Sequence, residues 1–151
     1  MNDWKKVLIT VDDTPTSDKG IEYAAKILGH LQDIHIHLLH IYPEPPPDYY
    51  GTGGSLDGYR QQREEQASVL LQRTLTMLTE AGINKKNITE EIKMAEQTTI
   101  SKAILSVQQE GEFGTVVVGK RGVSKAEEFL FGSISNALVH HSHDCTVWVV
   151  G

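Results

Sequence analysis

The sequence predicts an α/β fold: a five-stranded, mostly parallel open sheet with helices on both faces, folded as one domain over residues 1–151. Three observations predict it. Short, nearly unbroken apolar runs recur, as in VLITV at 7–11 and TVVV at 115–118, and such runs suit strands buried on both faces. Helical apolar spacing fills the stretches between them. Strand and helix patterns then alternate along the whole chain, which argues for parallel strands joined by right-handed crossovers. No repeat or shift in composition marks a second domain.

The elements follow in order. Lys5 to Val11 reads as the first strand. Thr14-Pro15 offers a helix start with proline in the first turn. Ile21, Ala24, Ala25 and Leu28 keep helical spacing, and Gly29 can stop the helix. IHIHLLHI, residues 34 to 41, is the second strand. A long loop with three consecutive prolines, residues 42 to 59, comes next, and is either a binding segment or a plain exposed connection. The clearest helix spans 60 to 81, with Ala67, Leu70, Leu71, Thr74, Leu75, Leu78 and Ala81 on one face, and Gly82 ends it. ITEEIKM, 88 to 94, is a more polar strand that suits a sheet edge. Thr98 or Thr99 caps a helix whose face is Ile100, Ala103, Ile104 and Val107. TVVV is the fourth strand, Ser133 can cap a helix with Ile134, Ala137 and Leu138 inward, and TVWVV, 146 to 150, is the last strand.

Composition narrows the function. Net charge is -6, and no basic stripe is present, so binding to a phosphate backbone is disfavoured. One cysteine, Cys145, permits no internal disulfide. No apolar run approaches a membrane span and no signal-peptide pattern opens the chain, so a cytoplasmic protein is expected.

In such sheets ligands bind beyond the carboxyl ends of the strands, where the strand order reverses. The informative positions are therefore the strand exits, and the first exit carries two acids, Asp12 and Asp13. A phosphoacceptor receiver domain would use paired acids there for Mg²⁺. It would also need an acceptor Asp after the third strand and a Lys after the fifth, and Met94-Ala95-Glu96 and the terminal Gly151 supply neither. The P-loop pattern G-x-x-x-x-G-K-[ST] is absent, and DDTPTS stands where a dinucleotide fingerprint would lie.

The fourth strand exits differently. VVVGKRGVSKAEEFLFGSISN contains G-x2-G-x9-G-S, formed by Gly119, Gly122, Gly132 and Ser133. Glycines let backbone approach a ligand closely, and the helix opened by Gly132-Ser133 offers free N–H groups to phosphate. Lys120 and Arg121 add positive charge in an acidic chain. A phosphate cradle follows on physical grounds.

With that spacing, the strand-end Asp12, LLHIYP closing the second strand and GSIS…HHSHDCTVWVV at the end, the chain resembles the universal stress protein family over essentially its whole length. The resemblance implies a Rossmann-like fold of the adenine-nucleotide alpha-hydrolase type and, for members with the glycine motif, ATP binding. It places Asp12 by the ribose or adenine, Val11 and Ile41 against the base, and Val118 and Gly119 under the adenosine. Gly122, Gly132, Ser133 and Ile134 would hold the phosphates, with Arg121 beside them. It also implies a homodimer through the last strand, Thr146, Val147, Trp148 and Val149.

Two departures stand out. The family's usual Gly-Ser after the Asp is Asp13-Thr14 here. Asp13 either meets a phosphate-bridging Mg²⁺ or caps the next turn, and capping is the expected role. A usual Gly-x-Pro after the third strand is Ala95-Glu96-Gln97, which puts a methyl and a charge near the expected pocket.

His140, His141 and His143 suit the negative end of a helix better than a metal site. His35, His37 and His40 are expected to be satisfied histidines packed under helices, and Cys145 a small buried residue. The leading functional reading is an ATP-binding regulatory or stress-response homodimer without need of turnover. A slow Mg²⁺-dependent ATPase or autophosphorylating protein, and a structural dimer that binds no nucleotide, are the alternatives.

Overall fold

The computed structural model describes residues 1–119 and 133–151, with Ser133 described by its backbone alone. Lys120, Arg121, Gly122 and Gly132 lie outside the described residues, as does the Ser133 side chain. Among the described residues five strands and four α-helices alternate: β1 Lys6–Thr10, α1 Pro15–Leu28, β2 His35–Pro43, α2 Leu56–Glu80, β3 Ile88–Ala95, α3 Ile100–Glu110, β4 Thr115–Gly119, α4 Ser133–His141 and β5 Thr146–Val150. The sheet order is β3-β2-β1-β4-β5, and all four pairings are parallel. The expected open α/β sheet is present, parallel throughout.

The order reverses once. The chain steps from β1 to β2 to β3, then returns past β1 to β4 and β5. Crossovers of one hand place the helices of the outward steps on one face and those of the return on the other. Accordingly α1 and α2 pack on one face, where Ile21, Leu28, Leu71 and Leu78 meet Val7, Ile9, Ile36 and Val117. Helices α3 and α4 cover the other, where Ala103, Ile104, Val107 and Leu138 meet Leu8, Leu39, Val116 and Val118. Consecutive residues of β1 thus feed opposite cores, as a doubly covered strand must.

Local signals held in most places. Thr14 caps α1, its side chain accepting from the Ser17 N–H, with Pro15 in the first turn and Gly29 at the C-cap. Thr99 rather than Thr98 caps α3. Gly82 follows the α2 C-cap with φ +102°, a left-handed conformation that glycine alone takes freely.

Strand ends shift by one or two residues, and helix boundaries move as well. Helix α2 starts at Leu56, four residues before the expected 60, because Ser55 caps it by accepting from the Gly58 N–H. That brings Tyr59 into the buried face, while Ala81 is the exposed C-cap. In α4, Ser133 is itself a helical residue and not the cap.

The loop between β2 and α2 is shorter than 42–59 and is built. Tyr42, Tyr59 and Met94 form a third small core with Tyr49, Leu56 and Ile92 packed against it. The Tyr49 and Tyr42 rings meet the Tyr59 ring edge-on at 5.4 and 5.9 Å. The Tyr59 hydroxyl donates to the Pro43 carbonyl, and the Arg63 guanidinium lies over the same ring. The aromatic contacts tie the proline segment to α2.

Candidate functional site

The reversal point lies between β1 and β4, and a slot opens beyond their carboxyl ends. Thr10, Val11 and Asp12 form its β1 side, Val118 and Gly119 its β4 side, and Leu39 and Ile41 its β2 side. Ile100 and Ile104 from the start of α3 and Ile134 from α4 close it. Val11, Asp12, Ile41, Val118, Gly119 and Ile134 were expected at the site and are brought together here. Leu39, Ile100 and Ile104 were not. Their helical and strand spacing marked them as core, and only the fold shows that this part of the core borders a slot.

The slot is narrow, with a cavity of about 30 Å³, and most of the side chains in its walls are aliphatic. A wider, open groove of about 490 Å³ lies outside β2 and β3, lined by Glu44, Tyr50, Arg60 and Glu96 among others. That groove sits away from the strand-order reversal, and its charged groups are already engaged, Arg60 with Glu96 and Glu44 with the Gln97 N–H. The slot is the better candidate because the topology creates it.

Asp12 is held from both ends. Its N–H donates to the Ser17 hydroxyl at 3.0 Å, and its Oδ1 accepts from the Thr14 N–H at 2.8 Å and from the Thr14 hydroxyl. The acid that fixes the turn into α1 is therefore Asp12, with Thr14, and not Asp13 as expected. Asp13 is exposed and makes no hydrogen bond or ion pair among the described residues. The reason is positional: Asp12 stands two residues before the N-cap Thr14 and folds back on its N–H, whereas Asp13 is exposed beside that turn.

Glu96 does not crowd the slot. Its carboxylate pairs with Arg60 at 2.7 Å, toward α2. Ala95 is buried in the core that borders the slot. Gly119 is needed where it stands for a reason the motif did not reveal. A Cβ built there would lie 2.6 Å from the Thr16 carbonyl oxygen and 2.8 Å from the Ser17 nitrogen. Strand β4 thus ends in backbone contact with the first turn of α1.

The ladder between β1 and β2 ends at this point. Register pairing stops at Thr10 opposite Leu39, and one more bond follows, from the Val11 N–H to the Leu39 carbonyl at 2.8 Å. The next bond of a regular parallel ladder would run from the Ile41 N–H to the Val11 carbonyl. His40 Nδ1 takes that carbonyl instead, at 2.7 Å. Backbone groups alternate between neighbours along a strand, so Ile41, like Leu39, turns its N–H and C=O toward β1. Among the described residues no ladder bond to β1 uses the Ile41 N–H or C=O.

Elsewhere, His37 bonds Thr89 Oγ1 at 2.6 Å and Glu91 Oε1 at 2.9 Å and stacks on Phe113, so it is satisfied as expected. His35 is exposed at the start of β2, not packed under a helix. Cys145 is half-buried. Among the described residues no group of three or more His, Cys, Asp or Glu side chains could hold a metal ion, and no helix is long and apolar enough to cross a membrane. Trp148 meets Tyr23 edge-on at 6.0 Å on the edge strand β5.

Comparison with protein families matches residues 3–151 to the universal stress protein family. Solved structures agree on the fold. The universal stress protein UspA from Lactobacillus plantarum superposes with TM-score 0.77 at 17% identity, over 98% of each chain. A universal stress protein in complex with cAMP gives 0.68 at 17%, covering 97% of this chain and 96% of that one. One from Archaeoglobus fulgidus in complex with dAMP gives 0.63 at 13%, over 97% of each. A search of curated proteins found no match.

Proposed function

We propose a function from one premise: the chain belongs to the universal stress protein family. It binds an adenine nucleotide in the slot at the reversal point and acts as a nucleotide-responsive regulatory homodimer. The observation that carries this is the end of the β1–β2 ladder, where Ile41 turns an N–H and a C=O toward an apolar slot of Val118, Ile100, Ile104 and Ile134. Adenine carries an acceptor, N1, beside a donor, the N6 amine, and one residue's backbone pair complements that edge. Its flat apolar faces suit aliphatic walls. The two ligand-bound neighbours hold cAMP and dAMP, which share adenine and differ in sugar and phosphate.

ATP fits the remaining residues. Asp12 stands at the ribose side, Val118 and Gly119 underlie the adenosine, and Gly122, Gly132, Ser133 and Ile134, with Arg121, would hold the phosphates through backbone N–H groups and charge. A base enters so narrow a slot by displacing isoleucine side chains. Binding is favoured over turnover because Asp12 Oδ1 is already engaged by two hydrogen bonds from Thr14 in fixing the turn into α1. Dimerisation would use the outer edge of β5, through Thr146, Val147, Trp148 and Val149.

The test is calorimetric titration of the nucleotide-stripped protein with ATP, AMP and GTP, with and without Mg²⁺. Micromolar ATP and weaker GTP are expected, since guanine reverses the donor and acceptor facing Ile41. Gly132→Val should weaken ATP far more than AMP. Absence of binding, or equal GTP binding, overturns the reading.

A further inference from the structure

We infer that His40 is a positioning residue that keeps the Ile41 backbone out of the β1–β2 ladder and so holds the slot's recognition edge open. The role follows from three facts. Val11 and Leu39 are joined by a ladder bond at 2.8 Å, so the two strands are still in pairing distance one residue before they part. The Val11 carbonyl would then accept from the Ile41 N–H, because a partly buried carbonyl left unpaired is costly. His40 supplies a different donor to that carbonyl, at 2.7 Å. Satisfied there, the Val11 carbonyl has no call on Ile41.

The chemistry fixes the tautomer. A carbonyl only accepts, so Nδ1 of His40 carries a proton. The ring also lies near-parallel to Tyr42, with centroids 6.5 Å apart. Tyr42 is 3% exposed and belongs to the aromatic core that anchors the proline loop. The slot's edge is therefore tied to that loop through one imidazole.

This inference rests on the nucleotide reading only for its purpose. The wedge itself is a property of the backbone and can be measured without ligand. His40→Asn is the conservative variant, because the Asn amide nitrogen occupies nearly the place of imidazole Nδ1 and can donate to the same carbonyl. His40→Val keeps a strand-favouring residue and removes the donor.

The experiment is amide hydrogen exchange at Ile41 by NMR in the parent and both variants, with AMP and ATP titrated in parallel. Fast Ile41 exchange is expected in the parent and in His40→Asn. In His40→Val the amide should slow by about tenfold or more as it closes onto Val11. Adenine-nucleotide affinity should fall about tenfold in His40→Val, in line with one lost polar contact, and stay within about threefold in His40→Asn. Equal Ile41 exchange in all three proteins, or His40→Asn behaving as His40→Val, overturns the wedge. Should the parent bind no adenine nucleotide, the proposed function fails, while Ile41 exchange still decides the role of His40.

Discussion

Gly20 of α1 and Gly119 of β4 face each other where helix and strand touch, yet they tolerate a methyl group very differently. A Cβ on Gly20 would meet its nearest neighbour, the Gly119 nitrogen, at an ordinary 3.8 Å. A Cβ on Gly119 would stand 2.6 Å from the Thr16 carbonyl oxygen, and backbone cannot swing aside. Gly20→Ala replaces a mid-helix glycine and should stabilise by about 0.5–1 kcal/mol. Gly119→Ala should destabilise by about 1–3 kcal/mol through overpacking. Urea unfolding of the two variants measures both, and the signs should be opposite. A neutral Gly119→Ala would mean that β4 and α1 are not in backbone contact.

The two acids after β1 should separate in the same experiment. Thr14→Ala removes the α1 cap and the hydroxyl that holds Asp12, at a cost of about 1 kcal/mol, and should weaken nucleotide binding with it. Asp13→Ala touches no bonded group among the described residues and should leave the urea midpoint unchanged. In the proposed complex its exposed carboxylate would stand near the phosphates. Removing it should tighten ATP by about twofold at low salt, an effect that fades as salt rises. Loss of Mg²⁺-dependent binding in Asp13→Ala would instead assign the carboxylate to a metal.

What the sequence conveyed was local. Thr14-Pro15, Thr99 and Gly82 each act on the turn they occupy, so their reading survived. The apolar runs named the strands because both faces of each are covered. What it could not convey depends on residues far apart. The contact of Gly119 with Thr16 joins positions about a hundred residues apart, and a glycine needed for packing looks the same as one needed for a ligand. Asp12 and Asp13 differ only in which way a turn points. Tyr59 escapes the apolar spacing because nothing in GGSLDGY singles out Ser55 as a cap, and the spacing alone starts the helix a turn late. His40 looked like one more core histidine, since nothing in IHIHLLHI says that its ring meets a carbonyl of another strand.

The aromatic core under the proline loop should respond to alkali. Burial first, and the Glu64 carboxylate second, push the Tyr42 phenol above its usual 10.0. The folded state then holds this proton more tightly than the unfolded chain does. The stabilisation is fully present below pH 10.0 and is lost as pH rises through the folded value. Tyr42→Phe has no such proton, so its urea midpoint should fall less than the parent's between pH 9 and pH 11. Parallel losses in the two proteins would remove Tyr42 from the effect.

Tyr59 tests the same core at neutral pH. Its hydroxyl donates to the Pro43 carbonyl, one of the last backbone groups before the loop. Tyr59→Phe keeps the ring contacts with Tyr42 and Tyr49 and removes that bond, for a loss of about 1 kcal/mol. Limited proteolysis should then cut within 44–55 faster than in the parent. An unchanged cleavage rate would show that ring packing alone holds the loop.

The outer edge of β5 gives the sharpest test of assembly. The Thr146 N–H donates inward to the Gly114 carbonyl at 2.9 Å, so by alternation the N–H groups of Val147 and Val149 face outward. A second copy of the chain pairing along this edge would use those outward groups. Proline at an outward position removes one of them without touching the ladder to β4, and edge strands accept proline in that setting. Val149→Pro should therefore keep the far-ultraviolet circular dichroism of the parent and lose some thermal stability through the missing side-chain contacts. Its mass by sedimentation should fall from that of a dimer to that of a monomer. Trp148→Pro, one residue away, breaks the inward ladder and should unfold β5 itself, which separates loss of pairing from loss of structure. A parent that sediments as a monomer would remove the homodimer from the proposed function, and a Val149→Pro variant that remains a dimer would place assembly elsewhere on the surface.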